Sequence, residues 1–113
     1  INKQFLFLSN KYFYEKYCFI YSKIEYNHEL IKHISEVDDV DFIKFSNLKS
    51  IKFCDSFDKD IKNTIPDTVT HIYFGECFDK EIIDCLPKSV IDVCLEFMYR
   101  HKKPGNINIY LYK

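Results

Sequence analysis

From Phe45 onward, apolar residues recur every 21 positions: Leu48/Val69/Val90, Ile51/Ile72/Val93, Phe53/Phe74/Leu95 and Phe57/Phe78/Tyr99, with Ile65, Leu86 and Ile107 aligned as well. A fixed period of this length marks one supersecondary unit copied in tandem, each copy burying its apolar edge against the next. Within each copy, Ile51-x-Phe53, Ile72-x-Phe74 and Val93-x-Leu95 alternate with polar neighbours. Alternation at period two predicts a short strand. Ile65-Pro66 and Leu86-Pro87 precede two of these strands. Proline lacks an N–H and restrains the residue before it, so both pairs suit corners leading into a strand. Phe57, Phe78, Ile61 and Ile82 are expected to turn back inward and floor the returning side of each coil.

The first half follows another rhythm. Leu6, Phe13, Tyr17, Ile20 and Ile24 fall near one face at helical spacing, widened by Phe5, Leu8 and Tyr12, which predicts a helix over 1–24. Asn27 is a suitable N-cap for a second short helix, His28 to Ile34. Asp38, Asp39 and Asp41 then read as a solvated connection. The expected organisation is α+β, with a helical segment and linker over 1–44 and a repeat unit over 45–113.

The third copy decays after Leu95. Lys103 stands in the Ile61/Ile82 slot and Pro104-Gly105 signals a turn. Beyond it Ile107, Ile109 and Leu111 alternate with Asn108, Tyr110 and Tyr112. The favoured expectation is a terminal strand that pairs back on residues 90–98 and covers the open end. The competing one is a truncated fourth copy, with Leu111 in the Val90 column. Charges keep the same register: Asp58 stacks on Asp79, Lys59 on Lys80 and Asp60 on Glu81. Exposed pairs of this kind contribute only about 0–1 kcal/mol, so a wet outer edge is expected.

Composition narrows the function classes. The chain has 113 residues, 47 % of them hydrophobic, which is enough for one ordered domain. Its formal charge of −1 gives no electrostatic case for nucleic acid or an anionic membrane. No apolar run reaches the length of a membrane span. Ser9, Asn10, Lys11 and Glu15 interrupt the N-terminal apolar stretch, so no secretory leader is expected. The first residue is Ile1 rather than Met, so either the start point was chosen or something upstream has been lost or cut away. Cys18, Cys54, Cys77, Cys85 and Cys94 form no C-x-x-C pair, and buried free thiols in a reducing compartment are the expected reading. With two glycines there is no phosphate-cradling loop, and neither H-E-x-x-H nor G-x-S-x-G occurs. His28 and His33 are five apart, off the face needed for helical metal ligation. No catalytic residue, metal site or cofactor is expected, and the chain is not expected to be an enzyme.

The block Ile65-Pro66-Asp67-Thr68-Val69-Thr70-His71-Ile72-Tyr73-Phe74-Gly75-Glu76-Cys77-Phe78-Asp79 resembles an FNIP repeat, a short relative of the leucine-rich repeat. Leu86-Pro87-Lys88-Ser89-Val90 starts a second copy, and Phe45 to Thr64 forms a degenerate earlier one. Phe57-Asp58 and Phe78-Asp79 stand where the family has Phe-Asn; Asp accepts a backbone hydrogen bond but cannot donate one. The resemblance implies about three repeats in a leucine-rich-repeat-like solenoid over roughly residues 45–98. Phe5-Leu6-Phe7-Leu8-Ser9-Asn10-Lys11-Tyr12-Phe13-Tyr14 is similar to the last helix of an F-box, whose leading Leu-Pro helix is not in this chain. F-box and FNIP repeats are paired notably in giant DNA viruses of amoebae, and the A/T-rich codons of the abundant residues fit such a source.

These resemblances imply a substrate-recognition subunit of an SCF-type ubiquitin ligase, monomeric and acting in the cytoplasm, of the host if the gene is viral. Phe5, Leu8, Tyr12 and Phe13 would meet a Skp-family adaptor; the alternative is that they pack the first helix against the repeats. The target protein would lie on the strand positions pointing away from the core: Ser50, Lys52, His71, Tyr73, Asp92 and Cys94, with Lys52, His71, Tyr73 and Asp92 as the leading contacts. A plain solvated sheet face is the competing reading. A stand-alone FNIP interaction module or remnant with no ubiquitin role is the other functional alternative.

Overall fold

A computed structural model describes residues 19–20, 31–43 and 45–113. They form six strands: β1 (Phe19–Ile20), β2 (His33–Val37), β3 (Ser50–Phe53), β4 (His71–Tyr73), β5 (Asp92–Glu96) and β6 (Asn108–Tyr112). The strands lie in sequence order in one sheet, and every neighbouring pair is parallel. Parallel neighbours in sequence order require the chain to make one full turn between strands, so the protein is a parallel β-solenoid. One column of the sheet runs Phe19, Ile34, Ile51, Ile72, Val93, Ile109. The step along it is constant from Ile51 to Val93 and shorter at both ends.

None of the described residues is helical, which overturns the α+β expectation. Phe19–Ile20 pairs with Ile34–Ser35 as a strand where the first helix was expected to continue. Residues 33–34 belong to β2 rather than to a helix from His28. The cause is an ambiguity in spacing. Ile31-x-x-Ile34 matches Leu48-x-x-Ile51, Val69-x-x-Ile72 and Val90-x-x-Val93: one apolar residue at the strand entry, the next pointing in from the strand. A three-residue step is also a helical step, so the pattern satisfies both readings. Residues 1–18 and 21–30, which carry the rest of the helical expectation, lie outside the described residues.

The core is a pile of these columns. Ile31, Leu48, Val69 and Val90 are buried in one line, and Ile34, Ile51, Ile72 and Val93 in the next. Aromatic rings extend the pile. Phe53 stacks on Phe74 with centroids 5.2 Å apart and planes 6° from parallel. Phe57, Phe78 and Tyr99 follow at 6.1 Å per step, within 9° of parallel. Inside each coil the two columns lock together, Phe53 on Phe57 at 4.1 Å and Phe74 on Phe78 at 4.0 Å. Each such ring pair contributes about 0.5–1.5 kcal/mol beyond the area it buries. The one Tyr in the line needs a partner for its hydroxyl, and its O–H donates to the Lys80 carbonyl at 2.6 Å.

Corners recur with the same period. The N–H of Phe57, Phe78 and Tyr99 donates to the carbonyl three residues back at 3.1, 3.4 and 3.0 Å, and Thr64 and Cys85 do the same at 3.1 Å each. Asn63 and Asp84, one period apart, occupy the left-handed region (φ 61° and 58°), which Asn and Asp enter more readily than other non-glycine residues. Gly75 serves clearance instead of conformation. A Cβ there would lie 2.5 Å from the Cys54 carbonyl oxygen and 2.6 Å from Asp55 Cα, so two coils touch backbone to backbone at this corner.

The end of the solenoid departs from the period. β6 pairs with β5 in parallel and belongs to a shortened fourth coil. Leu111 consequently lies opposite Leu95, and not in the Val90 column. The acidic connection is exposed at Asp38, Asp39 and Asp41. The Asp column is linked: Asp58 Oδ1 accepts the Asp79 N–H at 2.8 Å, the accepting half of the contact that Asn would make. Asp79 in turn receives Arg100 through two bonds, at 3.0 and 2.9 Å.

Phe74 touches both ring columns, so Phe74→Ala should cost about 3–5 kcal/mol. Urea denaturation followed by circular dichroism should show the midpoint collapse. A loss below about 1 kcal/mol, less than a single methylene-scale change often costs, would mean that the rings do not hold the coils.

Candidate protein-interaction surface

Alternation along each strand sends Ile34, Ile51, Ile72 and Val93 inward and their neighbours outward. The exterior face therefore carries two lateral rows fixed by the register: Ser50, His71, Asp92 and Asn108 in one, and Lys52, Tyr73, Cys94 and Tyr110 in the other. Lys52, His71, Tyr73 and Asp92, the leading sequence candidates, thus lie together on one face and are all partly exposed. Ser50 and Cys94, also expected there, point outward yet are buried, at 4 % and 0 % exposure. Phe5, Leu8, Tyr12 and Phe13 lie outside the described residues.

The first row is a hydrogen-bonded ladder. His33 on β2 bonds the Ser50 hydroxyl through Nδ1, which covers that serine. His71 meets Asp92 at 2.9 Å through Nε2 and Thr70 Oγ1 at 2.7 Å through Nδ1. Asn108 Nδ2 donates to Asp92 Oδ1 at 2.9 Å. Burial, with the nearby charges of His71 and Lys32, holds the His33 pKa below its ordinary 6.5.

The second row is aromatic at its centre. Tyr73 stacks on Tyr112 with centroids 5.0 Å apart, and the Lys52 ammonium sits 5.3 Å from the Tyr73 centroid. Tyr112 reaches from β6 back to β4, where its O–H donates to the Phe74 carbonyl at 2.6 Å. The ring therefore crosses β5 above Cys94. Burial pushes the Cys94 thiol up to about 12, so its thiolate is not populated near neutral pH. Burial raises Tyr73 to about 12 as well, with the Cys94 thiol a smaller contributor, and Tyr112 is raised further.

Tyr112, Asn108 and His33 were missed by the sequence reading. The alternation of 107–112 gives the outward phase of Asn108 and Tyr112. The shortened step that brings them beside Asp92 and Glu96 has no signal in the period of the earlier copies.

The thiol on this face is buried and its pKa is raised, so it is not poised as a nucleophile. Among the described residues no three His, Cys, Asp or Glu side chains group to hold a metal ion, and no helix is long and apolar enough to cross a membrane.

A coil built on one parallel strand and a returning arm, with an apolar column per inward position, defines a leucine-rich-repeat-like solenoid. The profile of the FNIP Repeat matches residues 26–77 and 61–97, more than half of the chain, and the chain belongs to the FNIP repeat family. That match begins well before Phe45, in keeping with the coil that carries β2. Among solved structures the chain is similar to CroV588, described as "a novel circular LRR protein structure", with a TM-score of 0.50 and 24 % sequence identity. The likeness covers 58 % of this chain and 11 % of that one, and at this identity it speaks for the fold. No curated protein sequence matches the chain.

Two measurements check this surface. Tyr73→Ala removes one ring from the cover over Cys94, losing about 0.5–1.5 kcal/mol of ring pairing in addition to the half-buried area of the side chain, and should leave the domain folded. Alkylation mapped by mass spectrometry should then find Cys94 reactive, whereas the unaltered protein keeps it protected. His33 has its folded-state pKa depressed, so the unfolded chain binds the proton more tightly. Stability is fully present above pH 6.5 and falls as acidification proceeds from there toward the folded pKa. Chemical denaturation across that window should show this loss, and His33→Gln should flatten it.

Proposed function

We propose that this protein is a recognition module that holds a target protein on the exterior face of its sheet. The observation that supports this reading most is the Lys52–Tyr73–Tyr112 stack. It is a half-buried aromatic centre held on rigid strands, flanked by the His71–Asp92–Asn108 ladder. Tyrosines so placed offer large contact area at low entropic cost and dominate binding hot spots. The module acts by positioning a partner and performs no covalent chemistry of its own.

The finer reading is that of a receptor subunit of an SCF-type ubiquitin ligase. It rests on the resemblance of Phe5–Tyr14 to an F-box helix beside FNIP repeats. Phe5, Leu8, Tyr12 and Phe13 would engage a Skp-family adaptor in the cytoplasm, and the repeats would raise the effective concentration of a target lysine near the conjugating enzyme. A stand-alone FNIP module without a ubiquitin role is the second reading. The strand at Phe19–Ile20 favours it, because the solenoid reaches into the 1–24 span where one continuous helix was expected.

Affinity capture with the full natural gene product, probed for adaptor and cullin, separates the two. Adaptor and cullin should be recovered with the unaltered protein and lost with Leu8→Asp. A target should be lost with Tyr73→Ala while the adaptor remains. Recovery of a target without adaptor or cullin would leave the stand-alone module.

A further inference from the structure

The shortened fourth coil leaves a cleft. From Val93 to Ile109 the chain takes a shorter path than the preceding coil takes from Ile72 to Val93, and Lys103 replaces the isoleucine that floors the coils before it. The returning arm cannot fill the space beside the third coil. The result is a cleft of about 560 Å³, with an apolar wall that includes Leu86, Val90 and Ile107. Its charged lining is Lys88, Lys102 and Lys103 against Asp84. None of the three lysines enters an ion pair among the described residues; Lys103 reaches the Tyr99 carbonyl and ring instead. A cleft with greasy walls and a cationic rim suits an acidic segment that carries an apolar anchor.

This chain holds such a segment. Asp38, Asp39 and Asp41 are exposed and lead into Ile43, which is 93 % exposed and the most exposed large apolar side chain described. With Lys44 counted, residues 38–44 still carry a formal charge of −2. Asp39 spends part of its charge on Lys59 at 3.5 Å, a pair in which both partners are exposed and readily exchanged. The segment belongs to the early part of the solenoid and the cleft to its end, so they fit each other only between molecules.

We infer that the basic cleft of one copy receives the Asp38–Ile43 segment of a second copy, in a head-to-tail contact. Such a contact is heterologous: each copy keeps one unused cleft and one unused segment, and association continues until the rotation closes a ring. None of the residues of this contact belongs to the Tyr73–Tyr112 stack or to the His71–Asp92–Asn108 ladder.

Sedimentation equilibrium on the full 113-residue chain tests this. The average mass should rise with concentration and fall as salt screens the rim. Lys88→Glu/Lys102→Glu and Asp38→Lys/Ile43→Ser alter only exposed positions. Each should keep the native circular dichroism and melting curve while losing self-affinity at least about tenfold. Mixed together, the two variants have one intact cleft and one intact segment between them, and should give a 1:1 dimer that grows no further. Tyr73→Ala should self-associate like the unaltered protein. A chain that stays monomeric, variants that assemble as well as the original, or a mixture that remains monomeric would each overturn the inference. So would a monomer whose cleft binds a synthetic acidic peptide, which would assign the cleft to a foreign segment.

Discussion

Everything in this molecule depends on like side chains lying over one another at the spacing of neighbouring strands. Parallel strands sit about 4.7–4.9 Å apart, so a flat ring repeated at that interval meets its own copy at stacking distance. Phe53 over Phe74 and Phe57 over Phe78 over Tyr99 use this coincidence. Once the rings are in line, the aliphatic columns fall into line with them. The corners can then repeat, and the strands are held in a fixed parallel register. Gly75 shows how closely the coils are drawn together, since even a methyl group there would meet the backbone of the coil before it.

The interior was legible because burial writes its period directly into the chain. Leu48, Ile51 and Phe53 find their copies one full period on, without exception until Leu95. What the sequence concealed lies where the period changes. Toward the N-terminus the step shortens twice, and Ile31-x-x-Ile34 reads equally well as one helical turn. Glu36 adds to the disguise: its left-handed backbone (φ 56°) shifts the register between Ile34 and Val37 and breaks the alternation expected of a strand. At the other end the contracted last coil brings Tyr112 toward Tyr73, a contact between distant parts of the chain that no local pattern announces.

The exterior face was half legible. Strand phase follows from which residues are apolar, so Lys52, His71, Tyr73 and Asp92 could be placed on it from the sequence. Exposure could not, because it depends on what a neighbouring strand lays across the position. Ser50 is covered by a histidine from the preceding coil and Cys94 by a tyrosine from the following one. The chemistry of the face is therefore concentrated at the seams, where coils of unequal length meet and long side chains from one reach over another.

The column Asp58, Asp79, Arg100 gives the array a direction. Each carboxylate is linked to the coil after it, the first through a backbone N–H and the second through a guanidinium. Unequal exchange between gene copies, the usual way tandem arrays lengthen, would duplicate the middle coil and set another carboxylate in the line before the cation is reached. Each added unit would then place one more carboxylate, with its neighbouring lysine, along one flank. Growth of the array would therefore add like charge along one flank at an exposed cost of only about 0–1 kcal/mol per step, while the hydrophobic columns extend unchanged.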